Sequence, residues 1–145
     1  MIVVVIVGLL SIIGAPKIQR VSDAYNVRSA RQRVTAAVAA ARAAAIHKGR
    51  ESLFLTSGNW ISVWSKNPST GYWQMTLNWQ SISSAHGGVQ LQLGGAGWNY
   101  VWFEPRGLTM YKPPSTTVFR LVGRVATDSV CVTRLGQILP QACTL

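Results

Sequence analysis

The side chains that could perform acid–base, nucleophilic or metal chemistry are few in this chain and distant from one another in sequence. The 145 residues include four Asp and Glu, two His and two Cys. No two carboxylates have a spacing that would hold them together on one helix or strand, and neither GxSxG nor HExxH occurs. His47 adjoins Lys48 near a predicted helix end, and His86 lies in the turn-like SAHGG. We therefore expect no catalytic site, no bound metal and no cofactor.

The two cysteines, Cys131 and Cys143, both lie in the last fifteen residues. In an exported protein such a pair predicts one disulfide that closes a small loop, and two free thiols are the alternative. A metal site would need further ligands, and both histidines are distant in sequence. The disulfide is the favoured prediction if the chain is exported.

The chain is strongly basic, with 14 Lys and Arg and a formal net charge of +10. Such an excess indicates an anionic neighbour, either a phospholipid surface or a nucleic acid. The alternative is that the basic residues only keep an apolar protein soluble. Residues are 48% hydrophobic and 12% charged, which indicates a folded chain.

The first half of the chain predicts one long helix in two parts. Residues 2–15 carry no charge, and Pro16 follows them. As a helix this run is roughly 21 Å long, whereas a bilayer core is about 30 Å thick. Residues 17–50 are rich in Ala and Arg and predict an amphipathic helix that ends at Lys48, with Gly49 after it. Its predicted apolar stripe comprises Ile18, Val21, Tyr25, Val27, Ala30, Val34, Val38, Ala41 and Ala45.

From residue 51 onward the hydrophobic period changes to two, and Gly, Pro, Ser and Asn separate the short runs. YWQMTLNW, for example, places Trp73, Met75, Leu77 and Trp79 on one face of a predicted strand. Residues 51–145 thus predict a small antiparallel β domain. Six Trp residues could form a surface on which bases stack, but their alternating positions favour packing in the core.

Four stretches carry a resemblance to a known family: VVVIVGLLSIIGAP, AARAAAIHKGR, VWFEPRGLT and VCVTRLGQI. Together they resemble the minor pilins and pseudopilins of the GspH/FimT family, which are type IV pilin-like. The resemblance implies an α+β fold, in which a long N-terminal helix, half membrane segment and half amphipathic, precedes a small antiparallel β head. It also implies a C-terminal disulfide, here between Cys131 and Cys143. The membrane and filament-core helix would comprise residues 1–16, including Ile2, Val5, Gly8, Leu9, Ile12 and Pro16.

The family begins with a basic leader, a Gly cleavage site and a Glu within the membrane segment, and none of these is present here. Aligning Gly8 and Pro16 with the family's helix implies that Met1 falls several residues into the mature chain. The full apolar segment would then reach roughly twenty residues, enough to span a bilayer. Lys17 and Arg20 follow the segment, so a basic leader would be needed to direct the head outward. We expect the sequence to be truncated at its N-terminus or to start at a misassigned codon.

The resemblance implies a structural role in a type II secretion pseudopilus or a type IV pilus. Its partners would be other pilin subunits, the inner-membrane assembly platform and the inner membrane, with a single-pass anchor and a periplasmic head. The alternative is DNA uptake, because FimT-like pilins bind DNA through a C-terminal Gly-Arg-x-Arg loop. The matching residues here read GQIL and lack both arginines. Candidate replacements for that DNA contact are Arg134, Arg124, Arg120 and Lys112.

Overall fold

A computed structural model describes residues 2–94, 99–110 and 116–139, with side chains from Lys17 onward. The predicted α+β class is confirmed: one long helix precedes antiparallel strands. The elements are α1 (Ile2–Lys48), β1 (Ser52–Ser57), β2 (Trp60–Lys66), β3 (Trp73–Ser81), α2 (Ile82–Ala85), β4 (Gln90–Gly94), β5 (Tyr100–Phe103), β6 (Thr117–Val122), β7 (Thr127–Val132) and β8 (Ile138–Leu139).

Helix α1 runs without a break through Pro16, so the two predicted parts form one element. Its C-terminal half is built from Ala and Arg, which lose little side-chain entropy in a helix. The helix ends at Lys48, as predicted, because Gly49 adopts the left-handed conformation with φ 58°. The Arg50 N–H then donates to the Ala45 carbonyl at 3.3 Å and satisfies one of the terminal acceptors.

The described strands form two four-stranded antiparallel sheets that share one core with α1. The first sheet has the order β3-β2-β1-β5 and the second β4-β6-β7-β8. Phe54 of β1 meets Phe119 of β6 edge to face, with ring centroids 5.3 Å apart. Both rings are fully buried. This contact joins the sheets, and α1 packs against strands of both.

The core is apolar and continuous through all three layers. Its helical members lie between Val27 and Ala45, and its largest strand members are phenylalanines and β-branched residues. Because β-branched residues pack well on a pleated surface, the period-two runs of the sequence form this core. The fully buried large side chains are Phe54, Phe103, Phe119, Ile61, Ile82, Leu121, Val34, Val38, Val63, Val89, Val101 and Val130.

The prediction that most tryptophans pack in the core is wrong, because none of the five tryptophans in the described part of the chain belongs to it. Trp60 is 49% exposed, and Trp73 and Trp79 are each 37% exposed. For Trp73 and Trp79 the reason is that β3 lies at the edge of its sheet, where most of its residues are exposed on both faces. Trp60 is the first residue of β2. The pairing of β2 with β3 is also irregular around Val63, which breaks the simple alternation expected from YWQMTLNW.

The structure describes only one cysteine of the predicted disulfide and only the backbone of the predicted membrane segment. Cys131 lies on β7 and is fully buried, whereas Cys143 lies outside the described residues, so their pairing stays a prediction. The backbone of residues 2–16 belongs to α1. Within the described portion of the chain, no helical stretch has the length and apolarity needed to cross a bilayer.

Candidate functional site: the outward face of the long helix

Helix α1 presents two different apolar faces, whereas the sequence predicts a single apolar stripe. Val27, Val34 and Val38 face the head and are at most 2% exposed. Ile18, Val21 and Tyr25, in contrast, are 71%, 71% and 73% exposed. The step from Tyr25 to Val34 is nine residues, which at 3.6 residues per turn is about two and a half turns. Val21 and Tyr25 therefore lie on the side of the helix opposite the head, and Ile18 lies one turn before Val21, where α1 leaves the head.

The side of α1 that faces away from the head, which we call the outward face, continues beyond Tyr25 without a charged residue. At helical spacing it runs through Ser29 and Gln32 and then reaches alanines. Arg28 and Arg33 flank it and do not interrupt it. The exposed members of the outward face are Ile18, Val21, Tyr25, Gln32, Ala36, Ala39, Ala40 and Ala43. Large apolar residues thus give way to small ones along a solvent-facing helix surface.

Asp23 attaches the middle of α1 to the head. Its carboxylate accepts hydrogen bonds from the backbone N–H groups of Arg124, Val125 and Ala126 at 3.0, 2.7 and 2.8 Å. These three residues form the turn between β6 and β7. The bonds from Val125 and Arg124 lower the pKa of Asp23 below its usual value, although burial opposes them. Gly123 precedes the turn because a Cβ there would lie 2.6 Å from Val27 and 2.8 Å from the Asp23 carboxylate.

A second junction attaches the C-terminal part of α1 to the head. Three of the sequence stretches quoted above meet there. Arg42 Nε donates to the Gly107 carbonyl at 3.1 Å. Gly136 packs on that same carbonyl so closely that a Cβ would lie 2.1 Å from the oxygen. The Thr109 N–H donates to the Arg134 carbonyl at 3.1 Å and ties the two turns together. AARAAAIHKGR, VWFEPRGLT and VCVTRLGQI thus share a structural role.

The two junctions divide α1 into a segment that packs on the head, from Asp23 to Arg42, and a segment before Asp23 that extends past the head. Asp23 and Arg42 are nineteen residues apart, about 28 Å along a helix. Between them the head covers one side of α1, so that only the outward face is open. Before Asp23, Ile18 and Val21 extend past the head and remain exposed. The sequence contained a signal for the first junction, since Asp23 is the only acidic residue before Glu51.

The predicted DNA-binding arginines are not brought together. Arg124 is in the turn beside Asp23, whereas Arg134 is in the turn at the opposite end of β7. Arg120 lies between them in β6, opposite Ser129 in register. All three side chains are exposed, and Lys112 lies outside the described residues. The described arginines thus spread along the second sheet and do not form one cluster.

The remaining candidate residues from the sequence are the two histidines and the residues of the predicted membrane and filament-core helix. Exposed His47 comes in the last turn of α1. Burial, followed by the nearby Arg33 charge, lowers the pKa of His86 below its usual value. In the described part of the chain no three His, Cys, Asp or Glu side chains are grouped as metal ligands. The predicted membrane and filament-core residues belong to the backbone of α1; they are Ile2, Val5, Gly8, Leu9, Ile12 and Pro16.

Comparison with known proteins defines the fold. The chain is similar to two crystal structures of the type IV minor pilin FimU from Pseudomonas aeruginosa strain PAO1. Both have a TM-score of 0.59 at 16% sequence identity. The alignments cover 80% of this chain and 88% of the first structure, and 79% and 92% for the second. No protein-family model and no curated protein sequence matches the chain. The fold is therefore that of the type IV pilins.

Proposed function

We propose that this protein is a subunit of a type IV pilus-like filament and assembles through α1. The observation that carries the proposal is the outward face, where Ile18, Val21 and Tyr25 are more than 70% exposed. Exposed large apolar side chains at helical spacing favour packing against another helix. The pilin fold supports the same conclusion, because the similar structures are those of a minor pilin.

The graded composition of the outward face suits helix-to-helix packing. Alanines such as Ala36, Ala40 and Ala43 allow two helix backbones to approach closely. The larger Ile18, Val21 and Tyr25 supply apolar area, at about 25 cal/mol for each Å² removed from water. A charge within this face would have to be desolvated on packing, and the face carries none. The flanking Arg28 and Arg33 remain able to stay in water at the rim.

We further propose that residues 2–15 serve first as a membrane anchor and afterwards as part of the filament core. The stretch has no charge and begins the same continuous helix that carries the outward face. In this proposal the subunit waits in the bacterial inner membrane with its head in the periplasm. The GspH/FimT-like stretches support a minor position in the filament. A secretion pseudopilus and a type IV pilus share this arrangement, and the genes that flank the coding sequence would separate them.

Charge placed on the outward face tests the proposal. Val21→Asp should keep the chain out of sheared filaments, because a buried, unpaired carboxylate costs several kcal/mol in a helix interface. The matched control is Ser69→Asp, in the exposed turn between β2 and β3. Immunoblots of sheared filaments and of cell membranes would compare the two variants with the native chain. Equal amounts of native chain and Val21→Asp in filaments would contradict the proposal.

A further inference from the structure

A cleft of about 460 Å³ lies where α1 leaves the head. One wall is the helix segment 18–26, and the other comprises Gly87 and the turn between β6 and β7. Two exposed guanidinium groups line the cleft from these different elements, Arg20 from the helix and Arg124 from the turn. The Arg20 side chain makes no hydrogen bond or ion pair with any residue that the structure describes. Arg20 is thus available to an incoming anion, whereas the Arg124 charge also acts on the neighbouring Asp23 carboxylate, whose pKa it helps to lower.

The negative charge of Asp23, which also borders the cleft, does not cancel these cations. Its carboxylate is 7% exposed and already accepts three backbone N–H groups. Fixed backbone dipoles therefore meet most of that charge, as its lowered pKa indicates. The cleft as a whole is positive.

The rim of the cleft is apolar. Ile18 is 71% exposed and Val125 is 66% exposed, one on each wall. A small soluble anion would gain nothing from these side chains. A phospholipid, in contrast, presents a phosphate beside glycerol and acyl carbons, and so matches cations and apolar groups together. The cleft also follows directly after the uncharged residues 2–15, at the level where headgroups lie if that stretch is within a bilayer.

We infer that this cleft binds the headgroup phosphate of an anionic phospholipid while the subunit is in the membrane. The inference depends on the membrane-anchored state proposed above. Arg20 and Arg124 contact the phosphate, and Ile18 and Val125 pack on the adjoining glycerol region. Because one cation comes from α1 and the other from the head, the lipid bridges the two elements beside the Asp23 hydrogen bonds that already join them.

Lipid titration of the full chain in a non-ionic detergent tests this directly. Native mass spectrometry would count bound dihexanoyl-phosphatidylglycerol and, in parallel, dihexanoyl-phosphatidylcholine. We expect the anionic lipid to bind more tightly to the native chain. An Arg20→Gln, Arg124→Gln double variant should weaken it about fivefold for each charge removed, on the order of twenty-five-fold for both. Binding of the zwitterionic lipid should not change.

The matched control is an Arg106→Gln, Arg134→Gln double variant, which removes two exposed charges at the opposite end of the head. It should bind phosphatidylglycerol like the native chain, and equal weakening in both double variants would overturn the inference. So would equal affinity for the two lipids. Inorganic phosphate that displaces the lipid at similar concentration would show a site for free anions, and tighter, Arg20-dependent binding of duplex DNA would replace the lipid with nucleic acid. None of these outcomes depends on filament assembly, so failure here leaves the proposed function standing.

Discussion

At the scale of single residues, Asp23 joins the helix to the second sheet through one carboxylate and three backbone N–H groups. Hydrogen bonds to a charged group are worth about 1.5–3 kcal/mol, and an amide oxygen accepts them less strongly. Such a contact is non-local, because more than one hundred residues separate Asp23 from Val125 and Ala126. Its loss would release the turn between β6 and β7 from α1.

We predict that Asp23→Asn lowers the free energy of unfolding by about 2–3 kcal/mol at pH 7. The pKa of Asp23 is lower in the folded protein than in the unfolded chain. Its stabilisation is therefore fully present above the unfolded value of about 3.9 and is lost as the pH falls through the lower folded value. The difference between native and variant chains should accordingly shrink in acid. Denaturant unfolding followed by tryptophan fluorescence at several pH values would measure it.

Asp128→Asn is the control for this prediction. Asp128 pairs with Arg31 at 2.9 Å, but both side chains retain some exposure. Its removal should cost about 1 kcal/mol or less, as is usual for partly exposed ion pairs. A pH dependence in Asp23→Asn as steep as that of the native chain would show that the buried carboxylate is not its source.

A second prediction at this scale concerns Gly136. Its φ of 69° is unfavourable for other residues, and a Cβ would lie 2.1 Å from the Gly107 carbonyl oxygen. Gly136→Ala combines backbone strain with a steric clash and should cost about 3 kcal/mol or more. Gly58→Ala is matched in backbone, with φ 56°, but a Cβ there meets nothing within 4 Å, so it should cost only about 1–2 kcal/mol. Equal losses in thermal unfolding would mean that the Gly107–Gly136 contact carries no weight.

At the scale of elements, α1 is divided between a side that stabilises the head and a side that does not. Val34→Ala removes a fully buried side chain and should cost about 1.5–3 kcal/mol. Tyr25→Ala removes a side chain that is 73% exposed, and should change the free energy of unfolding by less than about 0.5 kcal/mol. Denaturant unfolding of the full chain would compare them. A large loss in Tyr25→Ala would show that the outward face packs on the head.

The boundary between the helix and the β head could be predicted from the sequence, whereas the orientation of the residues around α1 could not. The end of α1 at Lys48 followed from Gly49, and the change of period at residue 51 gave the β head. The sequence predicts one stripe for Ile18, Val21, Tyr25 and the buried valines because spacings of three and four recur on each side of the nine-residue step from Tyr25 to Val34. The angular position of a residue around the helix axis decides whether its side chain is buried, so the spacing must be counted through every turn.

Other features could not be predicted from the sequence because they depend on contacts between distant segments. The exposure of Trp73 and Trp79 follows from the edge position of β3, which no local pattern indicates. The sequence marks Asp23 as an isolated acidic residue but does not indicate its partners, because the acceptor and its donors lie more than one hundred residues apart.

At the scale of the whole molecule, the charge of +10 is spread over the protein. We predict that any DNA binding is independent of sequence, with micromolar or weaker affinity that falls about tenfold or more between about 50 and 200 mM salt. Gln137→Arg with Leu139→Arg, which adds the family's loop arginines at two exposed positions, should tighten it. Fluorescence anisotropy with duplex DNA would measure both. Tight binding by the native chain that Arg134→Ala abolishes would instead make DNA capture the leading function.

The central claim, that the outward face of α1 packs against other subunits, is tested most directly by photo-cross-linking in living cells. Tyr25 and Tyr72 are 73% and 77% exposed, the first on the outward face and the second beside β3. Each would be replaced in turn by p-benzoylphenylalanine, and the adducts identified by mass spectrometry. Position 25 should cross-link to the N-terminal helix of another pilin subunit, and position 72 should not cross-link to any such helix. Cross-links from position 25 only to lipid or to proteins without a pilin helix, in cells that carry filaments, would contradict the claim.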